Sequence, residues 1–451
     1  MGESFMRLAS VALAPALVAA ACGRAPLPEW YGAEGAEGAG GAGGAPSTTG
    51  SAGSAGTTGS AASSGTGAGG PVEPCDGLVT TGDPISTAAS GSQLEPALGV
   101  AKEGDAILAY RRETGPLIAF ARFDAWSPMW PETLVQKGIP DFNFLFSFII
   151  GPGPHGPSLV GNQGPVPESL FFGDTFIQGL SGNWFESGPR RELFIARSPD
   201  RSLVALSNDI ADSRLTLYEL GGVPWQNSAA WGCGSTPVVA AASAVPGGQI
   251  VAMSSGAPFG ECEPTSKLGP STRLQIGFFG PGLKATLGSE LELSEPVANL
   301  ALAPRAVTAE GAGGAWLVYQ SDGSASLLPP PIMAARLDAL GALIGDPFPV
   351  TSSGATEGPI TAAALGQRLL VVWYEAIDDG PPSLVAQLIE PDGTPGASAW
   401  LTSETWIQRA RLALLGSPDG TQFVVAWESA PDGPLKDHRV RIARFGCTTN
   451  P

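Results

Sequence analysis

The chain has 451 residues, among them 62 Gly and 42 Pro, and a formal net charge of −18. That much Gly and Pro excludes a helix bundle or coiled coil, and an acidic chain without a basic block excludes nucleic-acid binding through phosphate neutralisation. Yet 43% of the residues are hydrophobic, enough for a core, so the chain is not disordered throughout.

Residues 1–21 read as an export signal. A short charged start with Arg7 precedes Leu8 to Ala21, an apolar run of mostly small residues that is too short to span a bilayer. It ends Ala19-Ala20-Ala21-Cys22-Gly23, which resembles a bacterial lipobox. The resemblance implies a lipid on Cys22, attachment to a membrane through it and, with Gly23 next, the outer membrane. The usual Leu three residues before the Cys is Ala19 here, with Leu17 two residues further back. Plain secretory cleavage after Ala21 is the alternative. Lipidation of Cys22 would leave Cys75, Cys233, Cys262 and Cys447, an even number for an oxidising compartment.

Residues 22–71 are expected to be a flexible tether. From Gly32 to Gly70 the sequence is almost only Gly, Ala, Ser and Thr, with no large side chain whose burial could offset the ordering entropy. Its root-mean-square reach is about 35 Å. It resembles the low-complexity spacers that follow the lipidated Cys in secreted proteins of myxobacteria.

Residues 72–451 change texture. Short runs rich in Val, Leu, Ile and aromatics alternate with Gly/Pro/Asp turns, the pattern of many short strands. A unit recurs: an apolar strand, a turn, a second apolar strand often ending in an acidic residue, a polar loop and a third strand. Unit one holds ILAYRRE to Glu113. Unit two is the poorest, around LFFGDTF. Units three and four hold LVALSND and IVAMSSG. Unit five holds WLVYQSD to Asp322, unit six LLVVWYE to Glu375, and unit seven FVVAWE to Glu428. The second strands start near Ile107, Leu170, Leu203, Ile250, Leu317, Leu370 and Phe423, with uneven gaps of 63 and 33 residues around unit two. A mean spacing of about 53 predicts an all-β fold, a β-propeller of seven four-stranded blades. Six or eight blades are open because of unit two, and a β-sandwich or several small β-domains are the alternative. The strands VVWYE and IMAARLDALG resemble those of bacterial β-propellers. Ser417-Pro418-Asp419-Gly420, and in part Ser198-Pro199-Asp200, resemble the SPDG turns of TolB-like propellers.

On that fold, unit seven lacks a fourth strand, and GLVTTGDPISTAAS after Cys75 resembles the segments that follow third strands elsewhere. The amino-terminal segment is expected to supply that outer strand. Cys447, at the end of the third strand, would then lie beside Cys75, at the start of the fourth. A bond between them would close a loop worth roughly 5 kcal/mol or somewhat more in chain entropy. Cys233 and Cys262 pair by elimination.

Chemistry is sparse. His155 and His438 are the only histidines, so no multi-histidine metal site is expected; no GxSxG, Walker A or EF-hand pattern occurs. His438 in DGPLKDHR and His155 in GPGPHGP read as exposed loop residues. One constellation recurs: Glu113, Asp174, Asp209, Asp322, Glu375 and Glu428 follow second strands and would mark one rim. Facing carboxylates can bind a cation such as calcium, bind a sugar, or serve as an acid/base pair. Acidic residues at strand ends also start turns by bonding backbone N–H groups. Trp373 and Trp427 read as packing between blades. The aromatic-rich segment Gln136 to Gly188 reads as a buried strand with a long loop, or as a binding surface.

These readings describe a monomeric, lipid-anchored or secreted propeller of the cell envelope with no cofactor and no evident catalytic residue. It would bind or scaffold a glycan or an envelope protein. A glycan-active hydrolase or lyase with paired carboxylates is the alternative.

Overall fold

The computed structural model describes residues between Cys75 and Thr448, apart from parts of the connections, and only the backbone of the strands from 136 to 231. Cys22, the tether, Cys233, Cys262, His155, Glu113, Asp174 and Asp209 lie outside the described residues.

The strands form seven four-stranded antiparallel sheets. After β1 (Gly77–Ser86), the first sheet holds β2 (Gln93–Val100), β3 (Ala106–Arg112), β4 (Ile118–Phe123) and β5 (Gln136–Ile139). The second holds β6 (Leu145–Gly153), β7 (Gly156–Gln163), β8 (Val166–Phe172) and β9 (Ile177–Leu180). The third holds β10 (Arg190–Arg197), β11 (Ser202–Asn208), β12 (Leu215–Leu220) and β13 (Ser228–Trp231). The fourth holds β14 (Ala240–Val245), β15 (Gly248–Ser254), β16 (Arg273–Phe279) and β17 (Ala285–Glu292). The fifth holds β18 (Val297–Arg305), β19 (Gly314–Ser321), β20 (Met333–Leu337) and β21 (Leu343–Pro349). The sixth holds β22 (Thr361–Leu365), β23 (Arg368–Ala376), β24 (Pro382–Ile389) and β25 (Pro395–Trp400). The last holds β26 (Ala413–Gly416), β27 (Gln422–Ser429) and β28 (Arg439–Thr448), and its outer strand is β1.

The first strands β2, β6, β10, β14, β18, β22 and β26 each contact the next, and β26 contacts β2. Seven meanders closed in a ring through their first strands are a seven-bladed β-propeller. The inner strands are rich in Ala, as in AAASAV and TAAAL, because least room is left where seven strands converge. The second strands are covered on both faces by neighbouring blades. Hence β15 and β19 are buried along almost their whole length and read as unbroken apolar runs rather than alternating ones. The outer strands β17, β21 and β25 are largely exposed.

Cores lie between blades. Leu370, Val372 and Tyr374 of blade six pack on Phe423, Val425 and Trp427 of blade seven. Trp316 and Val318 of blade five pack on Leu369, Val371 and Trp373 of blade six. Both tryptophans expected between blades, Trp373 and Trp427, are there.

Blade two corrects one expectation. The spacing of second strands places the start of one at Leu170, but Leu170 lies in β8, the third strand of its sheet. The second strand is β7, GPSLVGNQ, too poor in large apolar residues to stand out as a run. The Gly/Pro-rich turns on either side are tight hairpins, with Gly153 opposite Gly156 and Gln163 opposite Val166. With β7 in place, the gaps of 63 and 33 become 50 and 46. Asp174 therefore follows a third strand, unlike the other five carboxylates.

β1 pairs with β28 from Gly77 opposite Thr448 to Ser86 opposite Arg441, with two bulges. The amino-terminal strand thus completes the last blade. Among the described residues no helix is long and apolar enough to cross a membrane.

Candidate functional site

In a meander, the ends of the second strands and the starts of the inner strands share one face of the ring. Asp322, Glu375 and Glu428 occupy this rim on blades five, six and seven. Each sits differently. The Asp322 backbone N–H donates to the Pro296 carbonyl at 2.8 Å, which ties the end of β19 to the entry of β18. The Glu375 Oε2 accepts from the Trp373 indole N–H at 3.1 Å, a bond within one strand between residues on the same face. Glu428 is 1% exposed. Its Oε2 lies 3.7 Å from His438 Nδ1, and the His438 side chain is only 15% exposed.

Glu428 and His438 are brought together because β27 and β28 pair with Glu428 opposite Val440, which puts His438 just before the strand across from it. The expectation of an exposed loop for His438 is corrected here: pairing of β28 carries it in beside the carboxylate, and its carbonyl accepts from the Gln93 N–H at 2.9 Å. The same corner holds Tyr374 of blade six. Burial, and then the negative charge of Glu428, push its phenol well above its ordinary value.

Around this corner the connection from β1 to β2 crosses to blade one. Thr87 N–H and Oγ1 both donate to the Val440 carbonyl, each at 3.0 Å. Gln93 Oε1 accepts from Val440 N–H at 3.2 Å. Tyr110 of β3 is pushed up to about 12 by burial, against smaller opposing effects from Arg112 and a hydrogen bond with Thr87.

The structure thus joins Glu428 to a histidine and Glu375 to the tryptophan of its own strand. Among the described residues no group of three or more His, Cys, Asp or Glu side chains gathers as a metal site. Gln93 and Thr87 carried no signal in the sequence, since their partner Val440 is some 350 residues away.

The strand order defines the class, a closed seven-bladed β-propeller. No family model matches the chain, and no curated protein matches it. Among solved structures it is similar to the polysaccharide lyase Uly1, at 8% identity and a TM-score of 0.48 over 82% of this chain and 100% of that one. It is similar to YCF48 from Cyanidioschyzon merolae, at 12% identity and a TM-score of 0.46 over 80% and 98% of the two chains. It is similar to an α-L-arabinanase from Penicillium chrysogenum complexed with arabinobiose, at 13% identity and a TM-score of 0.44 over 81% and 98%. Likeness at this level carries nothing about activity.

Proposed function

We propose that this propeller is a binding or scaffolding protein of the cell envelope, held by a lipid on Cys22 through the tether of residues 22–71. The observation that supports the reading is the state of two of the rim carboxylates. Glu375 is engaged by its own strand's Trp373, and Glu428 is buried beside His438. Carboxylates fixed in this way hold strand ends, whereas a glycosidic acid/base pair needs two that face each other across a ligand at about 5–10 Å. The full-length protein, applied to a glycan array and to envelope-protein pull-downs, is expected to retain a ligand without cleaving it.

The Glu428–His438 contact favours one second reading, a glycan-active hydrolase or lyase. Release of new sugar ends that falls at least about 100-fold in Glu428→Gln would establish that reading and displace the first.

A further inference from the structure

The opposite end of blade five carries a cluster of another kind. Trp316 of β19 pairs directly with Arg336 of β20 and with Ala303 of β18. Residues opposed in antiparallel strands put their side chains on one face of the sheet, about 4.5–5.5 Å apart at Cβ. Arg305 lies two residues beyond Ala303, so it shares that face. It stands opposite Gly314, where a Cβ would collide with the Leu337 carbonyl. With no side chain in the way, Arg305 reaches over to donate from Nη2 to Leu337 O at 3.4 Å.

Three N–H donors of this cluster are buried and have no hydrogen-bond partner: Arg305 Nε, Arg336 Nε and the indole Nε1 of Trp316, whose side chain is fully buried. All three are donors, and two belong to cations. The guanidinium of Arg305 is held below its ordinary value, first by burial and then by the charge of Arg336, with Asp338 opposing. Two carboxylates are near, and both are engaged elsewhere. Asp338 Oδ1 accepts from the N–H groups of Leu340 and Ala342, each at 2.8 Å. Asp392 Oδ1 accepts from Thr394 N–H at 2.9 Å and from Thr394 Oγ1 at 2.7 Å. Among the described residues neither arginine enters an ion pair.

Two adjacent cations that repel each other, with a third unmet donor in the same row, are complementary to one chemistry. We propose that Arg305, Arg336 and Trp316 form a binding site for an oxyanion, the carboxylate, sulfate or phosphate group of a ligand, on the face of the propeller opposite the carboxylate rim. Guanidinium groups match the planar or tetrahedral oxygens of such groups in geometry as well as charge. An acidic protein repels anions at long range, so binding here would be short-range and selective rather than a general attraction to polyanions.

The test is thermal unfolding of the full-length protein in sulfate, phosphate or glucuronate against chloride at matched ionic strength. The expected result is a saturable rise of about 3 °C at a hundred times Kd for at least one oxyanion. It should come with a shift of the Trp316 indole N–H resonance, assigned by Trp316→Phe. The anion that saturates at the lowest concentration identifies whether the ligand presents carboxylate, sulfate or phosphate. Arg336→Gln should abolish the rise and, by relieving the repulsion, melt no lower than the parent in chloride. Arg305→Gln repeats the test if Arg336→Gln does not fold. A rise no larger than in chloride, or one that persists in the folded variants, overturns the proposal.

Discussion

Arg444 shows how single residues hold the ring shut. It is 3% exposed, yet its guanidinium meets no carboxylate among its hydrogen bonds. It donates to the carbonyls of Ala125, Ser127 and Thr81, and its Cζ lies 5.0 Å from the Trp130 ring centroid. Trp130 in turn packs edge-on against Phe123 and donates to the Asp83 carbonyl at 2.9 Å. The indole rests on Gly82, where a Cβ would clash with the ring. Arg444→Met should therefore lower stability by about 2–3 kcal/mol through unmet carbonyls, read from the denaturant midpoint. Asp419 makes a smaller, pH-dependent contribution. Partial burial raises its carboxyl, but hydrogen bonds from Ser417 and Thr421 outweigh that and hold it below 3.8. A lowered folded value means stability that is full above 3.8 and is lost as pH falls through the folded value. Asp419→Ala should cost under about 1 kcal/mol at neutral pH, because the site is exposed and screened. The deficit should close in acid, as equilibrium unfolding at several pH values would show. The Asp419 turn was legible as a motif. Arg444 was not, since its partners lie more than 300 residues away.

At the scale of elements, the second strands were legible and the outer ones less so. FVVAWE and LLVVWYE stand out because both faces of such a strand are covered. Outer strands such as β17, ATLGSELE, pack on one side and leave weaker patterns. The register of blade two is hidden in the sequence for a related reason: its second strand is Gly-rich, while its third carries the large apolar residues. Turn geometry is a further constraint at this scale. Gly420 has φ +75°, and a Cβ there would press on the backbone of Gly366 in the neighbouring blade at 2.6 Å. Gly420→Ala should destabilise by more than about 1 kcal/mol, since it combines a left-handed conformation with a clash against backbone. Thermal unfolding is the measurement, and a neutral result would mean that the β26–β27 hairpin is free to move away from blade six.

At the scale of the whole molecule, closure and burial set two further expectations. Cys75 and Cys447 are bonded in the structure, with Cα atoms 5.0 Å apart and a sequence separation of 372. Non-reducing peptide mapping should recover the Cys75–Cys447 peptide, and reduction should cost about 5–6 kcal/mol less any strain. A Cys75–Cys233 peptide would contradict the closure. Among the described residues three tyrosines are held above 10: Tyr319 by burial, Tyr374 by burial and the charge of Glu428, and Tyr110, at about 12, chiefly by burial. A raised phenol stabilises the fold fully below pH 10 and loses that contribution as pH rises through the folded values. Phenolate absorbance from these three should therefore appear together with alkaline unfolding rather than before it.

By itself the sequence determined the all-β architecture, the repeat and the need for an amino-terminal strand to complete the last blade. Those follow from local periodicity and from counting strands against a repeat. Only the tertiary structure decided the register of blade two, the burial of Glu428 beside His438 and the convergence of Arg305, Arg336 and Trp316. Each depends on strand pairing, or on packing between blades. A polar side chain whose partners lie on another strand leaves no periodic trace in its own segment.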